Sequence, residues 1–241
     1  MATKVAFDIG NTEVKVGIFL GDELTSNFRI PRLSLPAFQS IMSDRNADFA
    51  IISSVKKLSK QMQALCKRED HVFHLDLDLK MPIKIKYRSP ATLGADRVSA
   101  VVGAWTLVPN ENSLVIDAGT CITYDLVEAS GNYIGGNISP GLRLRLRAMH
   151  EFTDQLPQVE LSRRFQWVGT DTKTALQVGA QVGALHEMKG FIAFYRKKFK
   201  KLNILLTGGD HHFFVNYLKI KIFVRPQLVL IGMNKILDLN V

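Results

Sequence analysis

Two short stretches of this chain carry the residue types that phosphate chemistry requires. Asp8-Ile9-Gly10-Asn11-Thr12 follows the apolar run Val5-Ala6-Phe7, and Asp117-Ala118-Gly119-Thr120 follows Leu114-Val115-Ile116. An Asp ending a buried strand, followed by Gly and by hydroxyl or amide side chains, lets the backbone approach phosphate oxygens while the carboxylate faces a metal cation. One copy alone suits an ordinary hairpin turn in which Asp8 caps backbone amides. The second copy, 109 positions further on, shifts the balance. Aligned, the two segments share three apolar positions, Asp, an apolar residue, Gly and a polar residue, which points to internal duplication. Two such hairpins, one per half, are expected to face each other across a cleft and clamp the β- and γ-phosphates of a nucleotide. Gly208-Gly209 then either admits the nucleoside or is a plain turn.

Other routes to phosphate binding and to metal chemistry lack their signatures. The chain has no Gly-x-x-x-x-Gly-Lys-[Ser/Thr] loop, no Gly-x-Gly-x-x-Gly and no protein-kinase catalytic signature. Its six histidines form no metal-ligand spacing, and Cys66 and Cys121 form no CxxC pair, so both cysteines read as unpaired thiols in a reducing compartment.

The elements that must position these residues are legible from periodicity. Residues 5–8 and 14–19 read as strands joined by a tight Gly10-Asn11 turn, and a third strand over 24–30 completes a meander. Helix over 35–42, strand over 47–53, helix over 58–67 and strand over 72–75 follow, then a helix over 93–107 opened by Gly94-Ala95-Asp96. A polar break at Pro109-Asn110-Glu111-Asn112 marks a domain boundary near residue 111. The second half restarts with strands over 114–117, 121–127 and 133–137. A long helix over 172–199, a strand over 204–207 and a final helix over 228–239 complete it. Alternating β and α imply a mixed sheet with helices outside it, hence an α/β chain with domains 1–110 and 111–241.

Composition bounds the rest. With 241 residues, 46% hydrophobic and 22% charged, the chain can bury a sizeable core, which excludes disordered and fibrous classes. Its longest uncharged stretch is 14 residues, 129–142, and is broken by Gly, Asn, Ser and Pro, too short for a membrane span. No secretory signal is visible at the N-terminus, so a cytoplasmic location is expected. The net charge of +9 is spread along the chain and suits anionic small ligands better than a nucleic-acid face.

Five motifs in one order and spacing carry a resemblance. They are Asp8 to Thr12, Gly94-Ala95-Asp96-Arg97, Asp117 to Thr123, Gly135-Gly136-Asn137-Ile138-Ser139-Pro140-Gly141 and Thr153-x-x-Leu156-Pro157. Together they resemble type III pantothenate kinases over residues 4 to about 209. That family belongs to the superfamily of acetate and sugar kinases, heat-shock chaperone ATPases and actin, built from two duplicated ribonuclease-H-like domains. The resemblance implies ATP-dependent phosphorylation of the primary hydroxyl of pantothenate, the first step of coenzyme A synthesis. Implied with it are Mg2+ or another divalent cation, K+ or NH4+, and a homodimer. It makes Asp96 the general base and assigns ATP binding to Asp8, Ile9, Gly10, Asn11, Thr12, Glu13, Val14 and Lys15, with Thr120 as a second contact. Asp117 matches a potassium ligand, and Tyr87, Gly94, Ala95, Asp96 and Arg97 match the pantothenate site. Thr172 resembles a substrate threonine supplied across the dimer interface, although Thr170 and Asp171 sit beside it.

The residues themselves admit plainer readings. Asp96 suits a helix start, Arg97 a surface ion pair, Tyr87 a half-buried strand position and Thr172 a helix cap. Capping alone does not explain the whole pattern around Asp96. Arg143, Arg145 and Arg147 alternate with leucines as a strand would, whereas the family places a helix there. Two departures from the family pattern stand out: Cys121 replaces a small residue, and Lys56-Lys57 occupy a loop where proline is common. Two other readings remain: a kinase of the same fold acting on another small alcohol or sugar, and a non-catalytic regulatory protein that keeps the fold.

Overall fold

The structure, a computed structural model, describes residues 1–164 and 166–241. Its strands are β1 (Thr3–Ile9), β2 (Val14–Leu20), β3 (Glu23–Ile30), β4 (Phe49–Ser54), β5 (Val72–His74) and β6 (Lys84–Ile85). They continue as β7 (Ser113–Ala118), β8 (Cys121–Val127), β9 (Asn132–Pro140), β10 (Asn203–Thr207) and β11 (Phe223–Val224). Helices are α1 (Leu35–Asp44), α2 (Lys60–Arg68), α3 (Ala95–Leu107), α4 (Leu142–Glu151), α5 (Thr172–Lys198), α6 (His211–Leu218) and α7 (Leu228–Asp238). By its contacts the chain divides into two units. One comprises Met1–Asn110, Val127–Gly135 and Gln227–Val241, the other Glu111–Leu126 and Gly136–Pro226.

In the first unit the sheet order is β3-β2-β1-β4-β5, with β1, β2 and β3 antiparallel and β4 and β5 parallel to β1. Val5, Ala6 and Phe7 of the central strand are fully enclosed, as a strand covered on both faces must be, while edge strand β3 alternates between exposed and half-buried residues. Helices α1 and α2 start at Ser34 and Ser59, whose hydroxyls accept the amides of Ala37 and Met62, so each start is fixed by its own sequence. They cover one face, packing Phe38, Met62 and Leu65 on Val5, Phe7, Val16 and Ile52.

Helix α3 is buried along most of its length and pairs with α7 in the same unit. Two glycines permit the approach. A Cβ on Gly232 would lie 1.8 Å from the carbonyl oxygen of Ser99, and one on Gly103 would lie 2.2 Å from that of Leu228. Backbone therefore meets backbone at both crossings.

The second sheet has the order β11-β10-β7-β8-β9-β6. Apart from β6, which joins β9 through residues 132–133 of the first unit, this order reproduces the first sheet: β9-β8-β7-β10-β11 against β3-β2-β1-β4-β5. Registers agree as well, since Asp8 faces Ser53 across the parallel pair β1/β4 and Asp117 faces Thr207 across β7/β10. The duplication read from the two Asp-x-Gly motifs is thus a duplication of whole sheets. The second unit buries Leu114, Ile116, Tyr124, Leu185, Met188 and Phe214 in its main core. Residues 142–151 form a helix, because Leu142 and Leu146 bury one face at i, i+4 spacing while Arg143 and Arg147 lie outside. Helix α6 and strands β6 and β11, each eight residues or fewer, had no periodic signal long enough to read.

Candidate active site

The first hairpin closes with Ile9 paired to Val14, and the Gly10 amide donates to the Glu13 carbonyl at 3.0 Å. Asn11 and Thr12 project into solvent, and their amides donate to no other described residue. Asp8 lies just behind this turn with only 6% of its surface exposed. Burial pushes its carboxyl above the usual carboxylate range, the Lys15 ammonium 3.7 Å away pulls it back, and the negative charge of Asp96 pushes it up again. Ser53 is Asp8's register partner, so the two side chains leave the sheet on the same face. The Ser53 hydroxyl is fully buried and without a hydrogen-bond partner among the described residues.

Asp96 stands in the first turn of α3, where the helix dipole favours negative charge. Its Oδ1 accepts the Arg97 amide at 2.8 Å, so the carboxylate folds back over the helix start. Gly94 makes room for it, because a Cβ there would lie 2.5 Å from that same oxygen. Arg97 is buried, with its guanidinium 5.6 Å from the ring centre of Tyr87. Tyr87 in turn stacks on the fully buried Tyr133, centroids 6.3 Å apart and planes 2° from parallel. Gly135 seats this stack, since its φ of +111° suits glycine and a Cβ would press within 3.3 Å of the Tyr87 ring. One unit therefore gathers Asp8, Lys15, Gly94, Ala95, Asp96, Arg97 and Tyr87, all singled out from the sequence.

Asp117, Thr120 and Thr172 belong to the other unit. The turn after Asp117 is gripped from two sides there. Gly141, at the start of α4, donates its amide to the Thr120 carbonyl at 3.0 Å, and a Cβ on it would lie 2.2 Å from the Gly119 oxygen. Gly208 adopts φ +90°, and a Cβ there would meet both the Ala118 carbonyl and Asp117 Oδ1 at 2.4 Å. Asp210 donates its amide to Ala118 and accepts a 2.8 Å bond from Arg143. Thr172 is exposed at the first position of α5, and the cap is its neighbour Asp171, in a reciprocal capping box with Thr174. Of the three neighbours, Thr170 and Asp171 are thus tied to Thr174 and Thr172 is not.

Sequence reasoning passed over Ser53 and Tyr133. Both ended or opened strands that were identified; the missing signal was cross-strand register, which places Ser53 against Asp8 just as Thr207 stands against Asp117. Chemically, a buried carboxylate beside a second carboxylate and an unpartnered hydroxyl suits a cation that arrives with a polyphosphate. Divalent magnesium takes one or two protein carboxylates together with substrate phosphates. Among the described residues no cluster of three His, Cys, Asp or Glu is present, and such a cation requires none.

Paired sheets of one topology, each with an acid at the end of its first strand, define a class: the fold of sugar kinases and actin-like ATPases. A hexokinase of the ROK family from Thermus thermophilus shares it, with TM-score 0.56 and 15% identity over 97% of this chain and 98% of that one. A Campylobacter jejuni protein described as a candidate Baf family transcriptional activator aligns at TM-score 0.61 and 22% identity over 97% of each chain. At such identities these likenesses speak for the fold alone. The type III pantothenate kinase family model matches residues 4–193. The type III pantothenate kinase of Bacteroides fragilis is 41% identical over 234 residues, covering 97% of this chain and 96% of its relative. The chain belongs to the type III pantothenate kinase family. Its reaction is the ATP-dependent phosphorylation of pantothenate, with a divalent cation, at the entry to coenzyme A synthesis.

Proposed function

We propose that this reaction runs on Asp96 as general base, with the hairpin from Asp8 to Lys15 binding the ATP phosphates and Thr120 adding a second contact. The observation that carries the reading is the pairing of two carboxylates within one unit: Asp8, whose carboxyl is raised chiefly by its burial and further by Asp96's charge, and Asp96, anchored at a helix start. With Oδ1 bound to the Arg97 amide, Oδ2 is the atom left to accept the substrate proton. The hydroxyl oxygen of pantothenate forms a bond to the γ-phosphorus as its proton passes to Asp96, the bond to the β-γ bridging oxygen breaks, and ADP leaves. Asp8 would hold the divalent cation together with the phosphates, and that cation neutralises phosphate charge. Arg97 offers a forked donor to the pantothenate carboxylate, with Tyr87, Gly94 and Ala95 lining the same site.

The same reading gives Asp117 the monovalent cation, K+ or NH4+, and gives Thr172 a substrate contact delivered across a homodimer. It keeps two ribonuclease-H-like halves with their boundary near residue 111, the C-terminal residues 227–241 counting with the first unit instead of the second half, and a cytoplasmic location; no described helix is long and apolar enough to cross a membrane. ADP release measured with pantothenate and Mg-ATP, with and without K+, tests it. Turnover should depend on pantothenate and on K+, and Asp96→Asn should lower kcat by about 10²–10⁴-fold. Wild-type turnover without K+, or an Asp96→Asn variant of normal kcat, would remove the corresponding assignment.

A further inference from the structure

The loop that follows β4 is stapled beside the first hairpin. The Val55 amide donates to the Ile9 carbonyl at 3.1 Å, the Ser54 hydroxyl donates to the Lys56 carbonyl at 2.6 Å, and the Lys56 amide returns a 3.1 Å bond to Ser54 Oγ. From there the Lys56 side chain reaches the turn itself, and its ammonium donates to the Asn11 carbonyl at 2.6 Å. Neighbouring cations are paired with carboxylates, Lys15 of β2 with Asp8 and Arg29 of β3 with Glu13. Lys56 has no acidic partner among the described residues, so its charge stays uncompensated at the rim formed by the exposed residues Asn11 and Thr12. An ammonium carries three donors and the carbonyl takes one, leaving two for an anion. Fixing an exposed lysine side chain costs conformational entropy, which a single carbonyl bond offsets poorly.

We propose that Lys56 is a further ligand of the nucleotide polyphosphate, supplied by the loop that follows β4. The proposal rests on the reading of the Asp8 to Lys15 hairpin as the ATP phosphate loop. Lys56 acts mainly on binding of ATP, through its charge, and leaves pantothenate binding alone.

The test is steady-state kinetics with ATP varied at saturating pantothenate, and the reverse, for Lys56→Gln, Lys56→Arg and Lys15→Met. Lys56→Gln should raise KM for ATP on the order of 10-fold with KM for pantothenate unchanged, and the difference from wild type should shrink as ionic strength rises. Lys56→Arg, which keeps the charge, should stay within about 2-fold of wild type. A glutamine amide can still donate to the Asn11 carbonyl, so a purely structural role would leave Lys56→Gln at the wild-type KM, and that result overturns the proposal. If Lys15→Met leaves KM for ATP unchanged as well, the hairpin reading fails and the proposal falls with it. A shift in Lys15→Met without one in Lys56→Gln removes Lys56 alone.

Discussion

Asp8 shows how function and stability oppose each other at one residue. Its carboxyl is raised by burial first, eased by Lys15 and raised further by Asp96. A carboxyl raised in the folded state favours the protonated form, so its stabilising contribution is present below the ordinary carboxylate range and is lost as pH climbs through the raised value. At neutral pH the charged Asp8 therefore destabilises the fold. Asp8→Asn is expected to raise Tm, by about 2–4 °C for each kcal/mol recovered, while activity falls at least on the order of 100-fold. Thermal scans alongside ADP release check both signs; a variant that melts lower than wild type would mean that the Lys15 pair outweighs burial. Other residues became interpretable only through their neighbours. Gly94 and Gly135 stand in motifs read from the sequence, but why each must be glycine shows only once Asp96 Oδ1 and the Tyr87 ring are seen lying where a Cβ would be.

Among the elements, α3 matters most, because it carries Asp96 and Arg97 and is held in place by α7. The grip depends on Gly103 and Gly232, each too close to facing backbone for any side chain. Gly232→Ala is expected to destabilise by about 1–3 kcal/mol through overpacking and to lower kcat as well, since the shift is transmitted to the start of α3. Denaturation and kcat measured on the same preparation decide this; a stable variant of normal activity would mean that the helices separate without cost to the site. Helices α1, α2 and α5 were legible because their caps and apolar faces are local. Helix α6, with eight residues, was not, and the Arg-Leu alternation over 142–147 left strand and helix open until burial of Leu142 and Leu146 settled it.

At the scale of the whole molecule the proposed dimer and the reach of Thr172 can be tested together. If Thr172 serves the partner's site, Asp96→Asn and Thr172→Val are each inactive as pure preparations. Mixing them should then restore activity, because a mixed dimer keeps one site with both groups intact. With equal amounts and free exchange, half of the dimers are mixed and half of their sites work, so about a quarter of wild-type activity is expected. Sedimentation of the mixture confirms the assembly state. No recovery from exchanging dimers would place Thr172 in its own chain's site or outside the reaction.

The sequence by itself determined the α/β class, the repeat of the two Asp-x-Gly hairpins, most strands and helices, and the family, since each is written in local spacing or in motifs of a few residues. Tertiary structure decided what spacing cannot carry. It assigned 227–241 to the unit formed by the N-terminal residues, because an apolar helix face is the same whichever sheet it covers. It matched the two sheets strand for strand, set Ser53 against Asp8, and brought Lys56 to Asn11 across 45 positions of chain. Cross-strand register and contacts between distant residues arise from packing many segments at once, and no single stretch of sequence records that sum.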